Sequence, residues 1–169
     1  MDTVYYFRAP WCLSLKIVTI IISIPLLALP IRFLRTSSLP SIEYSIVVII
    51  LPISLLVISA LFTVRGYQLS TQNLYIQRLF WKTNIDLSAL KQIERDSAAM
   101  KKSIRTFGNG GLYSISGFFK NRRLGSYRAW ATDPAKAIVL HFQNRTVIIT
   151  PDDPDRFVQT LQQIKGLNQ

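Results

Sequence analysis

The stretch YSIVVIILPISLLVISALFTV (44–64) carries no charged residue. About 20 such residues cross the hydrocarbon core of a bilayer as a helix. A second run, IVTIIISIPLLALPI (17–31), is entered by Lys16 and left by Arg32. Alone it is short, but 13–34 reaches the needed length if Lys16 and Arg32 snorkel toward the two interfaces. No small-residue A-x-A site follows it, since ALPIRF stands there, so it reads as a span rather than a cleaved signal. Pro25, Pro30 and Pro52 would break soluble helices. In a bilayer, neighbouring helices and Ser/Thr side chains can satisfy the freed carbonyls.

The two runs predict a transmembrane hairpin within residues 1–64, with spans at about 13–34 and 44–64. RFLRTSSLPSIE (32–43) is the expected connecting loop, holding Arg32 and Arg35. Arg8 and Lys16 precede the hairpin, and Arg65, Arg78 and Lys82 follow it. That excess of positive charge predicts that both ends lie in the cytoplasm. Cys12 is the only cysteine, so no intrachain disulfide forms, as suits a reducing compartment.

From residue 65 the character changes. Residues 65–169 hold sixteen basic and seven acidic residues, most of the net +11. Short alternating segments predict strands at GYQLS (66–70), LYIQRLF (74–80), TNIDL (83–87), KQIERD (91–96), AWAT (129–132), KAIVLHF (136–142) and RTVIIT (145–150). Ile138, Leu140 and Phe142 share one face, and residues 87–90 suggest one helical turn. The polar SAAMKKSIRT (97–106) reads as a mobile connection. PDDPDRFVQTLQQIKG (151–166) is a helix with its signals in order. Asp153 is the N-cap, Pro154 the first helical residue, Asp155 a complement to the dipole and Gly166 the stop. Its stripe of Phe157, Val158, Leu161 and Ile164 must bury against the sheet. The domain at 65–169 is thus about seven short, mostly antiparallel strands and a packing helix.

The order of these features resembles the membrane-anchored bacterial pleckstrin-homology (PH)-like family. The resemblance rests on the hairpin, G-Y-x-L-(x)4-L-Y-I-x-R, I-D-L before I-E, and G-x-G-G. Its most specific parts are LGSYRAWATD (124–133) and TPDDPDRFV (150–158), and it covers roughly residues 1–165. It implies an α+β, mainly β fold: a bent, seven-stranded antiparallel PH-like barrel capped by the C-terminal helix. It also implies an interaction or scaffolding module that binds a protein partner or self-associates. The first strand-to-strand loop, STQN (70–73), has no basic residue, so the resemblance does not extend to phosphoinositide headgroup recognition.

No arrangement for catalysis is evident. His141, the only histidine, lies on an alternating strand, where a structural role is the ordinary one. Cys12 has no neighbouring base. Asp133, Asp152, Asp153 and Asp155 are accounted for by turns and the helix start, and no HxxxH, CxxC or carboxylate cluster suggests a metal. No cofactor or small-molecule substrate is expected. FGNGG (107–111) is followed by strand-like LYSISGFF, not by the helix a phosphate loop needs. Gly108, Gly110, Gly111, Gly117 and Gly125 are therefore expected to shape bends and close strand approaches.

The remaining candidates are basic. Lys101, Lys102, Arg105, Lys120, Arg122, Arg123 and Arg128 crowd a region with few acids. A solvated surface is the plain reading. Beside a bilayer, however, each cation gains about 1 kcal/mol from an anionic leaflet. The alternative function is therefore anionic-lipid binding through residues 95–128. No zinc-finger, helix-turn-helix or RNP-like pattern supports a nucleic-acid partner.

Overall fold

The computed structural model describes residues 4–36 and 42–166. Strand β1 (Tyr5–Arg8) precedes the hairpin. Helix α1 (Leu13–Thr36) is the first apolar run, and Arg32 and Arg35 lie in its last turns, not in a loop. The centre of the expected loop, residues 37–41, lies outside the described residues. The second run is one continuous rod of three parts: α2 (Ile42–Ser45), a π-turn (Ile46–Ile50) and α3 (Leu51–Leu61). The π-turn sits just before Pro52, which cannot donate to the preceding turn. Ser54 Oγ donates to the Ile50 carbonyl at 2.6 Å, returning a partner to an acceptor in that region. Both rods, Leu13–Arg35 and Ile42–Leu61, are long and apolar enough to cross a membrane.

The described residues that follow form sheet and one helix. The strands are β2 (Gly66–Leu69), β3 (Asn73–Gln77), β4 (Lys82–Asp86), β5 (Leu90–Arg95), β6 (Ile104–Gly110), β7 (Ile115–Asn121), β8 (Gly125–Ala131), β9 (Ile138–Phe142) and β10 (Thr146–Ile149). Helix α4 (Pro154–Lys165) follows them. One sheet has the order β1-β2-β3-β4 and the other β5-β9-β10-β8-β7-β6. All pairs are antiparallel except β8 with β10. Nine strands thus follow the hairpin where seven were expected. IRTFGNG, the sequence of β6, is almost entirely exposed and so has no apolar alternation to announce it.

β1 was not expected. It pairs with β2 in the register Arg8↔Gly66 and Phe7↔Tyr67, so the hairpin leaves and re-enters the domain between adjacent strands. The main core lies between the sheets and α4, and includes Phe7, Tyr67, Leu74, Ile76, Ile138, Leu140, Phe142, Phe157 and Leu161. Phe7 meets Phe157 edge-on, ring centroids 4.9 Å apart. Helix α4 begins and ends on its signals: Asp153 Oδ1 accepts from Arg156 N at 3.0 Å, and Gly166 is left-handed at φ 63°. A second cluster, Phe119, Tyr127, Ala129, Val139 and Ile148, occupies the other face of the larger sheet. Ala99 plugs it, fully buried, and Asn121 Nδ2 holds the Ala99 carbonyl at 2.8 Å. Segment 97–106, expected to be a mobile connection, is therefore a packed turn running into β6.

Candidate functional site

The chain builds its most elaborate junction where the hairpin meets the tip of the β6–β7 finger. Asn109 shapes that tip: its Oδ1 accepts from Gly111 N at 3.1 Å and Leu112 N at 2.9 Å. The tip leans on α1. Thr19 Oγ1, buried, donates to the Gly111 carbonyl at 3.4 Å and accepts from Tyr113 N at 3.1 Å. Tyr113 also meets Trp11 edge-on at 5.9 Å. The end of α3 is held as firmly. The carbonyl of Phe62, which α3 leaves without a helical partner, accepts from Arg78 Nη1 at 2.5 Å and Ser114 Oγ at 3.3 Å.

Between these contacts lies a cavity of about 600 Å³. Ile22 of α1, with Leu55, Ile58 and Phe62 from the α3 end, forms one wall; Phe107, Phe118 and Trp130 of the sheet form the other. Into this apolar space come three guanidinium groups, Arg78, Arg105 and Arg128. Each of the two best-seated ones lies over aromatic rings. Arg128 is 4.4 Å from the Trp130 centroid and 5.1 Å from that of Phe118. Arg78 is 5.4 Å from Phe62 and 5.9 Å from Trp81. Burial holds the Arg78 pKa below its ordinary value, helped by the like charge of Arg128. Burial and Arg145 lower that of Arg128. Both remain cations, since arginine does not deprotonate in proteins. No carboxylate lines the cavity, and among the described residues none pairs with these three arginines.

The seven expected basic residues do not form one face. Arg105 and Arg128 belong to this cavity. Lys101, Lys102, Lys120, Arg122 and Arg123 border a separate groove beside Ile104, toward the other end of the finger. Lys120 is roughly 17 Å along β7 from Ile115 at 3.3–3.4 Å per residue. Arg123 is engaged by two carboxylates, Glu94 and Asp96. In the sequence Arg78 counts as a topology charge and as the last residue of the L-Y-I-x-R motif, but not as a site residue. Its setting, a cation leading into Leu79-Phe80-Trp81 just after a strand, was the signal available.

The glycines fall along the same finger. Gly108 and Gly117 face each other across β6 and β7, at φ 104° and 147°. A Cβ on Gly117 would lie 2.2 Å from the Phe107 carbonyl oxygen, and one on Gly108 2.5 Å from that of Ser116. The two backbones touch because neither residue has a side chain. Gly110 sits against the Arg105 side chain, Gly111 against Val18 of α1, and Gly125 opens β8 with nothing near it. Elsewhere, His141 Nε2 lies 3.6 Å from Glu94 Oε2 on the sheet. Cys12 Sγ is 3.1 Å from Ser14 Oγ at the start of α1. Among the described residues no three His, Cys, Asp or Glu gather as a metal site would require.

No curated protein and no solved structure matches this chain. The model of one family, described as bacterial PH domain, matches residues 65–165. With the two-sheet domain and its C-terminal helix, this places the chain in the bacterial PH domain family, whose fold is that of a protein- or lipid-interaction module.

Proposed function

We propose that this protein is a membrane-anchored, non-catalytic interaction module of the bacterial inner membrane. The hairpin crosses the bilayer and the PH-like domain stands in the cytoplasm, where it recruits a protein partner or a second copy of itself. The observation that carries this reading is the insertion of the hairpin between neighbouring strands β1 and β2. Both helix ends are thereby tied to one sheet, so the domain is held in one orientation beside the membrane. Strand β6 is one of the two edge strands of the larger sheet, with Ile104 73% and Phe107 74% exposed. An unpaired edge with apolar side chains is a template for another strand.

A reporter fused after residue 169 tests the topology, and a periplasmic signal would overturn it. A photo-crosslinking residue at Ile104, used in native membranes, tests the edge. An adduct of twice the chain mass identifies self-association, and another mass identifies a partner. Absence of any adduct, with the chain present and folded, removes the edge from consideration. A second reading, contact with anionic lipid, draws on the three arginines at the hairpin end.

A further inference from the structure

The cavity at the hairpin–sheet junction has a chemical composition that selects its occupant. One wall is aliphatic and belongs to the helices. The opening is cationic, with Arg78, Arg105 and Arg128 free of carboxylates among the described residues. Such a site suits a molecule with an anionic head and an apolar tail.

Its depth along the helices agrees. Ile58 and Leu55 lie three and six residues before the end of α3 at Leu61, roughly 5 and 9 Å inward at 1.5 Å per residue. Arg78 binds the Phe62 carbonyl at that same end. A bilayer is about 30 Å of hydrocarbon within about 40–45 Å overall. Arg78 therefore sits at headgroup level, and Leu55 and Ile58 at the level of the upper acyl chain. This placement rests on the reading that the hairpin spans the bilayer.

We propose that this cavity is a binding site for one anionic phospholipid. Arg105 and Arg128, with Arg78, receive the phosphate, and an acyl chain lies against Ile22, Leu55 and Ile58. Guanidinium groups hold phosphate oxygens through charge-assisted, fork-like hydrogen bonds. A zwitterionic headgroup fits less well, because no carboxylate lines the site to take its ammonium. Free phosphate would leave the apolar wall in water. The site is distinct from the Lys101, Lys102, Lys120 and Arg122 groove, which has no counterpart to the helix wall.

The test uses the full chain, purified in mild detergent and examined by native mass spectrometry. Dioleoyl phosphatidylglycerol or dioleoyl phosphatidylcholine is added in parallel. The wild type should hold one phosphatidylglycerol. Arg105→Ala with Arg128→Ala should lower its occupancy by at least about tenfold, the effect of losing one charge-assisted contact. Lys120→Ala with Arg122→Ala should leave it unchanged. Equal retention of phosphatidylcholine, full retention by the Arg105/Arg128 variant, or no bound lipid would overturn the proposal. Displacement by millimolar inorganic phosphate would assign the site to free phosphate instead. If the double variant does not fold, Leu55→Trp decides: it fills the acyl wall without touching the arginines and should also expel the lipid. Release of the chain from membranes by alkaline carbonate would overturn the anchoring itself. Retention in membranes without bound lipid would overturn only the site.

Discussion

The Tyr67 hydroxyl on β2 donates a hydrogen bond to the Trp130 carbonyl on β8 at 2.7 Å. The same oxygen accepts from Thr150 N at 3.1 Å. One buried side chain of the smaller sheet is thus bonded to strand β8 of the larger one and to the residue that follows its strand β10. Trp130 carries the arrangement outward, because Arg128 stacks on its ring at the cavity. The packing of the two sheets and the placing of a cavity cation are therefore linked through a single residue.

Tyr67→Phe should destabilise the protein by about 1–3 kcal/mol, because it strands a buried carbonyl and a buried N–H. Thermal or denaturant unfolding of the full chain in detergent measures this. A loss within about 0.5 kcal/mol, typical of surface changes, would show that the bond contributes little.

Alkaline pH gives an independent check on that hydroxyl. Burial raises the Tyr67 pKa from 10.0 to about 12. Above pH 10 the unfolded chain releases this proton while the folded chain keeps it, so stability falls as pH rises through that window. The contribution is intact below pH 10 and is lost toward pH 12. The stability advantage of wild type over Tyr67→Phe should accordingly fall by roughly 2–3 kcal/mol over that range, enough to close or reverse it. A constant gap would contradict the assignment.

Gly117→Ala should cost about 3 kcal/mol or more, because its Cβ would overlap the Phe107 carbonyl on the facing strand. Gly125→Ala meets no neighbouring atom and should cost only about 1–2 kcal/mol, from its left-handed backbone at φ 66°. Comparable melting temperatures for the two variants would remove the distinction between close approach and turn geometry.

Arg123→Ala should change stability by no more than about 1 kcal/mol despite its two ion pairs, since the side chain is half exposed. Lipid occupancy should be untouched. A marked loss of lipid in this variant would move the anionic site to the outer groove.

A fragment of residues 65–166 should be less stable than a form in which residues 4–9 are joined to it through a two-residue Asn-Gly turn. The turn would replace the hairpin between Ala9 and Arg65, whose N–H and carbonyl are bonded at 3.2 Å. The longer form restores β1 and the Phe7–Phe157 contact. Equal melting temperatures would show that β1 adds no stability.

Much of the fold was legible because its signals are local. The α4 limits follow from Asp153, Pro154 and Gly166, residues adjacent to the turns they make. Ile138, Leu140 and Phe142 alternate because a strand alternates. β6 was illegible because it is exposed on both faces, and β1 because four residues carry too little periodicity to stand out. The candidate site was legible only in its parts. Arg105 and Arg128 were identified among seven cations, but nothing near them in sequence separates them from Lys101, Lys102, Lys120, Arg122 and Arg123.

By itself, the sequence determined two membrane-length apolar rods, a basic strand-rich domain and a C-terminal helix, since hydropathy, periodicity and capping act over a few residues. Only the tertiary structure decided that β1 joins β2 across the whole hairpin, that Arg123 is engaged by Glu94 and Asp96, and that Arg78, Arg105 and Arg128 share one cavity. Those outcomes depend on which distant segments become neighbours when the sheets close on their core. A charge has its role set by the groups it then faces, and spacing along the chain does not contain that information.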